Sequence, residues 1–275
     1  MIYKDSDNKL PVVAILERML TLAGPDKRPL IAHELRMMRA GILAEREAAG
    51  LIDGYLKDST RTAVMHDLRL VSNQGAAEGA AAQIDHLLIH RSRRFYLLDT
   101  RHFTQGLKIT EDGDFLLWDE AAKLFEPLPS PLDALARQVS VLRDVLERFG
   151  LDDAPVETLV LLAPNARIDR PRRFDSTRVM KADQFLDKLN NSADFAQVTA
   201  LAELHKLNRT RMSDSIGDIA HKLIALHRPS TADTMSRFGL RRALPAPRQP
   251  HSQAAADGAV ENDDQALAAD SMRST

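Results

Sequence analysis

The chain has 275 residues, is 44% hydrophobic and 28% charged, carries a formal net charge of -2 at pH 7 and contains no cysteine. That length and apolar content suit one ordinary domain with additions, or two small domains, with enough material for a real core. Without cysteine, disulfides, zinc ribbons and thiol nucleophiles are excluded together, so any metal must be held by Asp, Glu, His or backbone oxygen; the near-neutral charge argues against a general nucleic-acid coat while allowing local basic patches.

No run approaches the ~20 apolar residues of a membrane-spanning helix, and MIYKDSDNKL lacks the apolar core of a signal peptide. The expected setting is cytoplasmic, with no membrane partner. Residues 9–22 read as a short amphipathic helix with Pro11 near its start, broken by GPDKRP at 24–29. From His33 to about Leu56 the apolar stripe Leu35, Met38, Ile42, Ala49, Ile52, Leu56 predicts a long helix. Glu45 completes that stripe. A carboxylate on the inward face of a helix needs a partner, whereas Arg46 and Glu47 beside it can be solvated.

TAVMHDLRLVS, 62–72, reads as a first strand, followed by the small-residue connection NQGAAEGAAA. QIDHLLIHRSRRFYLLDTR, 83–101, then reads as two apolar strands joined by a basic turn. Asp85, Asp99 and Arg101 interrupt runs of Leu, Ile and Phe that otherwise pass for buried core. Alternation puts Phe95, Leu97, Asp99, Arg101 and Phe103 on one face and Asp85 with Leu87 and Ile89. With an odd number of loop residues, 85 and 101 pair and the three charges share a face; an even number puts Asp85 on the other side.

QGLKIT and DFLLWDEAAKLFEPL predict short strands around the Asp112-Gly113 turn, completing a meander, with Trp118 in packing. SPLDALARQVSVLRDVLERFG, 130–150, has Ser130 as N-cap, Pro131 in the first turn and Gly150 at the end. Gln138 lies beside its apolar stripe. VETLVLLA at 156–163 and STRVMKA at 176–182 read as strands, the second at an edge. ADQFLDKLNN, FAQVTALAELHKL and IGDIAHKLIALH read as C-terminal helices, and the segment after Arg228, rich in Ala, Pro, Ser, Asp and Arg, as disordered. The order predicts a mixed α/β sheet with helices packed on it.

Glu45 on a helix, Asp85 on one strand and Asp99-Thr100-Arg101 on the next form a carboxylate set beside a cation. Such carboxylates can hold a hard divalent ion, Mg2+ or Mn2+, and the cation can stabilise charge on a phosphoryl group, so phosphodiester hydrolysis is the chemistry they suit. GILAERE at 41–47, QIDHLLI at 83–89, FYLLDTRHFTQGLKI at 95–109, the Gln138 helix and VETLVLLAPNARID together resemble the nuclease-related domain family, NERD, of the PD-(D/E)xK endonuclease-like superfamily. The resemblance covers roughly residues 38–165. It implies a restriction-endonuclease-like mixed sheet flanked by helices, with Glu45, Asp85 and Asp99 as metal ligands, Arg101 at the scissile phosphate and DNA rather than RNA as partner.

The chain departs from the family's usual Glu-x-Lys, reading Asp99-Thr100-Arg101, and Ala44 stands where Gly is common. A guanidinium stays protonated and cannot act as a base, though it can clamp phosphate; Lys108 is a spare lysine for that role. The expected divisions are an N-terminal helical arm at 1–32, the nuclease-like domain at 33–182, a helical extension at 183–228 and a tail at 229–275. Arg91, Arg93 and Arg94 at the hairpin tip, Lys108, Gln138, and Arg172 and Arg173 in a stretch (167–181) with six basic and two acidic residues around Phe174 are the expected nucleic-acid contacts. Three alternatives stay open: a buried ion-pair network in place of a metal site, a silent nucleic-acid-binding or scaffold module that keeps the fold, and an interaction protein without nucleic acid. His86 and His90 read as packing histidines, His86 the better placed to support a site.

Overall fold

The apolar periodicities become elements at nearly the expected places. In a computed structural model of the protein, residues 1–72, 79–103, 106–172, 176–191 and 215–229 are described. In chain order they form β1 (Ile2–Lys4), α1 (Leu10–Leu22), α2 (Arg28–Leu56), β2 (Thr62–Val71), β3 (Ala81–His90), β4 (Phe95–Arg101), β5 (Leu107–Ile109), β6 (Phe115–Asp119), β7 (Leu124–Leu128), α3 (Pro131–Glu147), β8 (Val156–Leu162), β9 (Ile168–Asp169), β10 (Val179–Lys181), α4 (Ala182–Asn191) and α5 (Ile216–Ala225). The expected helix at FAQVTALAELHKL and the tail beyond residue 229 lie outside the described residues, as does Phe174.

The main sheet has six strands in the order β1-β2-β3-β4-β8-β10. β2-β3-β4 are antiparallel, while β1 on β2, β8 on β4 and β10 on β8 are parallel, so the sheet is mixed and β10 is the expected edge. Two apolar faces follow from the strand alternation. On one, Val64, Leu88, Leu98 and Leu161 meet Ile52 and Leu56 of α2 and Phe185 of α4. On the other, Met65, Leu87, Leu97 and Val160 meet Leu135, Leu142 and Val145 of α3 and Ile219 and Leu223 of α5. Each fully buried Leu, Ile or Phe contributes about 1.5–3 kcal/mol, and this two-sided burial holds the hairpin rigid from both faces.

Four details differ from the sequence reading. α2 begins at Arg28, with Pro29 in its first turn, because a proline's fixed φ suits a helix start and the chain need not wait for His33. The first nine residues are more than an approach to a helix: Ile2 and Lys4 add a parallel strand beside Val64 and Met65. Ser130 occupies the N-cap position of α3 without making a side-chain cap hydrogen bond. The meander does not extend the main sheet; β5, β6 and β7 pair with β9 in a second, four-stranded sheet, where Trp118 packs edge-on against Phe125.

The hairpin β3–β4 closes through Arg91, Ser92 and Arg93, an odd loop, with Arg93 in the left-handed region at φ 61°. The register runs from Ile89↔Phe95 to His86↔Leu98. Extended by one pair, it sets Asp99, not Arg101, level with Asp85. Asp85 also does not share the face of Leu87 and Ile89. Along β3 the α3-side residues are Ala82 and Ile84, then Leu87 and Ile89, and along β2 they are Ala63 and Met65, then Leu68 and Leu70. A step of three breaks a two-residue alternation, so both strands change phase at the same level. His66, Asp67, Asp85 and His86 therefore turn toward α2.

Candidate functional site

Three neighbouring strands carry an aspartate at one level of the sheet: Asp67 on β2, Asp85 on β3 and Asp99 on β4. Register sets the three residues level across β2, β3 and β4, with Asp67 and Asp85 turned toward α2 and Asp99 two residues beyond Leu97. Like charges opposite one another destabilise a ladder, and here it gives way. β2 and β3 pair at His66↔His86 and Leu68↔Ile84 with no pair between them, and β3–β4 pairing stops at His86↔Leu98. Asp67 takes a left-handed backbone, φ 51°, a conformation that aspartate tolerates better than most residues. In the opening between β3 and β4, Asp85 Oδ2 accepts from Thr100 N at 2.7 Å and Thr100 Oγ1 at 3.0 Å. The carboxylate takes over the role of a ladder carbonyl.

α2 brings Glu45 over this row. Its partner is Lys9, whose ammonium pairs with Glu45 Oε2 and lies 2.6 Å from Asp67 Oδ1, an ion pair outside hydrogen-bond angles. The segment before α1 is held there by one side-chain and one backbone donor: Lys4 Nζ donates to His66 O at 2.9 Å and Asp7 N to Asp67 Oδ2 at 3.0 Å. Arg101, two residues from Asp99 and so on the same side of β4, donates from Nε to Asp99 Oδ2 at 2.6 Å and from Nη2 to Oδ1 at 3.2 Å. Ala44 is buried, and beside it lies a shallow depression that Thr100, Arg101 and Pro164 help to line.

The electrostatics follow from this crowding. Burial, then the charges of Asp99 and Glu45, push Asp85 up to about 7 against the opposing bonds from Thr100. Burial also raises Asp99 despite the Arg101 guanidinium, and raises Glu45 despite Lys9, with Asp67 and Asp99 adding to the rise. For Lys9, burial alone works downward, but pairing with Asp67 and Glu45 outweighs it and the net shift is upward. With all four carboxylates ionised, two cations leave two negative charges uncompensated. Asp67 and Lys9 are the members that sequence reading missed. A signal for Asp67 existed, since His66-Asp67 puts two polar residues in succession inside an apolar strand.

Next to the row lies a buried histidine pair. His66 Nδ1 and His86 Nδ1 are 2.7 Å apart, their rings edge-on, and His66 Nε2 is 3.0 Å from Asp53 Oδ1 of α2. Burial, then His66 and Lys9, hold His86 well below its usual pKa, so it is neutral. The arrangement without a buried charge has His86 Nδ1–H donating to His66 and His66 Nε2–H donating to Asp53, which leaves His86 Nε2 an acceptor without a partner among the described residues. His90, at the far end of β3, is lowered to about 4 by burial and by Arg91, Arg61 and Arg94.

The expected nucleic-acid contacts do not gather at the carboxylates. Arg94 is five residues along β4 from Asp99, about 17 Å at strand rise, and pairs with Glu157; Arg91 and Arg93 lie further along the same tip. Lys108 sits in the second sheet with Nζ 5.5 Å from the Phe125 ring centroid. The lysine among the carboxylates is Lys9. Gln138 is on α3, across the sheet from α2, and its Oε1 is buried without a hydrogen-bond partner among the described residues. Arg172 is exposed, and Arg173 lies outside the described residues.

The donors are all carboxylate oxygens, so the set fits a hard cation chemically. As drawn by Lys9 and Arg101, however, no group of three His, Asp or Glu among the described residues is closed up for a metal. Fold and site together define a mixed α/β protein of nuclease-like architecture with a carboxylate row at the split between two central strands. Residues 40–163 match the family model described as the nuclease-related domain, so that segment is similar to this family. The match contains Glu45, Asp67, Asp85, Asp99 and Arg101, leaves out Lys9, and ties the chain to nuclease-related function in general. Comparison with curated proteins and with solved structures gives no match. No helix among the described residues is long and apolar enough to cross a membrane.

Proposed function

We propose that the chain is a metal-dependent nuclease acting on phosphodiester bonds of DNA, with Mg2+ or Mn2+ held by Glu45, Asp85 and Asp99, and with Asp67 as an added donor. The observation that carries this is the row of three aspartates under Glu45, with two cations set against four carboxylates. When bound, the ion supplies a water of lowered pKa and polarises the phosphoryl oxygen. Arg101 is half-exposed at the rim and permanently charged, so it steadies a phosphate and does not serve as a base. The Thr100 bonds keep Asp85 in one orientation.

The test is incubation of the purified chain with plasmid and linear DNA in Mg2+ or Mn2+. Asp99→Ala is expected to lower cleavage at least about a hundredfold, the scale of losing one group that acts on the transition state. Cleavage unchanged by Asp99→Ala rejects this site. A second reading, a DNA-binding module that does not cleave, is favoured by one specific arrangement: the guanidinium is already closed on Asp99 and the Lys9 ammonium already fills the space between Glu45 and Asp67. It predicts salt-dependent DNA binding with no metal-dependent product.

A further inference from the structure

Lys9 is the cation that the family match does not contain, and its place is built with care. β1 runs beside β2, Asp7 N is bonded to Asp67, and Lys9 then reaches Glu45 and Asp67 from the residue just before α1. Asp67 is 3% exposed and Glu45 20%, so neither is compensated by water alone. The Lys9 side chain as a whole is 22% exposed, so it is not sealed in the interior. A divalent ion drawn to this row needs the same oxygen lone pairs that the ammonium now holds, and two cations a few ångströms apart repel each other strongly at partly buried sites.

We propose that the Lys9 ammonium is the resident cation of this site, and that Lys9 and a divalent metal exclude each other from the Glu45 and Asp67 oxygens. The inference rests on the proposed metal centre and specifies its regulation: metal binding requires the Lys9 side chain to swing out, so the N-terminal segment sets the affinity of the domain for its ion.

Two measurements on the full chain test this without reference to cleavage. Mn2+ binding by titration calorimetry is compared between the wild type and Lys9→Met. The variant is expected to bind about tenfold tighter or more, within the range usual for coupled sites. Reductive methylation of wild-type lysines, read by peptide mass spectrometry, needs no variant to fold. Lys9 is expected to react slowly without metal and several-fold faster as Mn2+ saturates, while the exposed Lys123 keeps a constant rate. If the wild type binds Mn2+ and loses it in Asp99→Asn, yet Lys9 reacts at the same rate with and without metal and Lys9→Met binds no tighter, the exclusion is wrong and the metal centre stands. If neither wild type nor Lys9→Met binds Mn2+, the metal centre falls and the exclusion with it.

Discussion

Replacing Asp85 by Asn removes a charge from the middle of the row while leaving an oxygen that can still accept from Thr100 N and Oγ1. Asp85 titrates near 7 in the folded chain and at about 3.9 when unfolded. Between those values the folded state binds more protons than the unfolded state, so stability falls as pH rises from about 4 to about 7. At about 1.4 kcal/mol for each pH unit of that window, the penalty on the ionised carboxylate is at most about 4 kcal/mol. In metal-free buffer, Asp85→Asn is therefore expected to match the wild type near pH 4 and to exceed it by about 2–4 kcal/mol at pH 8. Urea unfolding followed through Trp118, the single tryptophan, measures this as a midpoint shift of about 1 M or more at a slope of about 2–3 kcal/mol/M. A variant no more stable than the wild type at pH 8, or one whose advantage is larger at pH 4.5, refutes the electrostatic picture. The same variant is expected to lose metal-dependent cleavage, which would make the row a case of stability given up for function.

Thr100→Val keeps the backbone bond to Asp85 but removes the hydroxyl, and is expected to cost about 1–2 kcal/mol, more at pH 8 than at pH 5, by denaturant unfolding at the two pH values. Arg101→Ala removes a pair whose cation is 40% exposed; stability should change by less than about 1 kcal/mol, while cleavage drops about tenfold or more, so stability and activity assays separate its two roles. At Gly217 an added Cβ meets Tyr3 Oη at 2.7 Å. Gly217→Ala is thus expected to destabilise by about 1–3 kcal/mol in thermal unfolding, with Tyr3→Phe giving back at least about 0.5 kcal/mol of that in the double variant.

Local pattern and periodicity sufficed for much of this protein. Helical spacing picked out Glu45 as the odd member of an inward stripe, and alternation made Asp85, Asp99 and Arg101 conspicuous in apolar strands, because charge in a buried period is rare without a reason. The acidic-x-basic strand after QIDH was enough to bring the nuclease-related domain into view, and α1, α3, β8 and α4 fall where their periods place them, while the strand expected at 176–182 forms only over Val179–Lys181. What sequence could not decide depends on register and on long-range partners. The phase change that takes Asp85 off the face of Leu87 occurs in β3 only together with β2, and no single strand announces it. The level of Asp99 against Asp85 required the hairpin register. Lys9 looks like an ordinary solvated lysine at a helix start, since nothing local links it to Glu45, 36 residues away, or to Asp67 on another strand. Local chemistry is written in the order of residues, but which carboxylates stand abreast, and which cation sits on them, is settled only when strands pair and the first residues of the chain fold back across them.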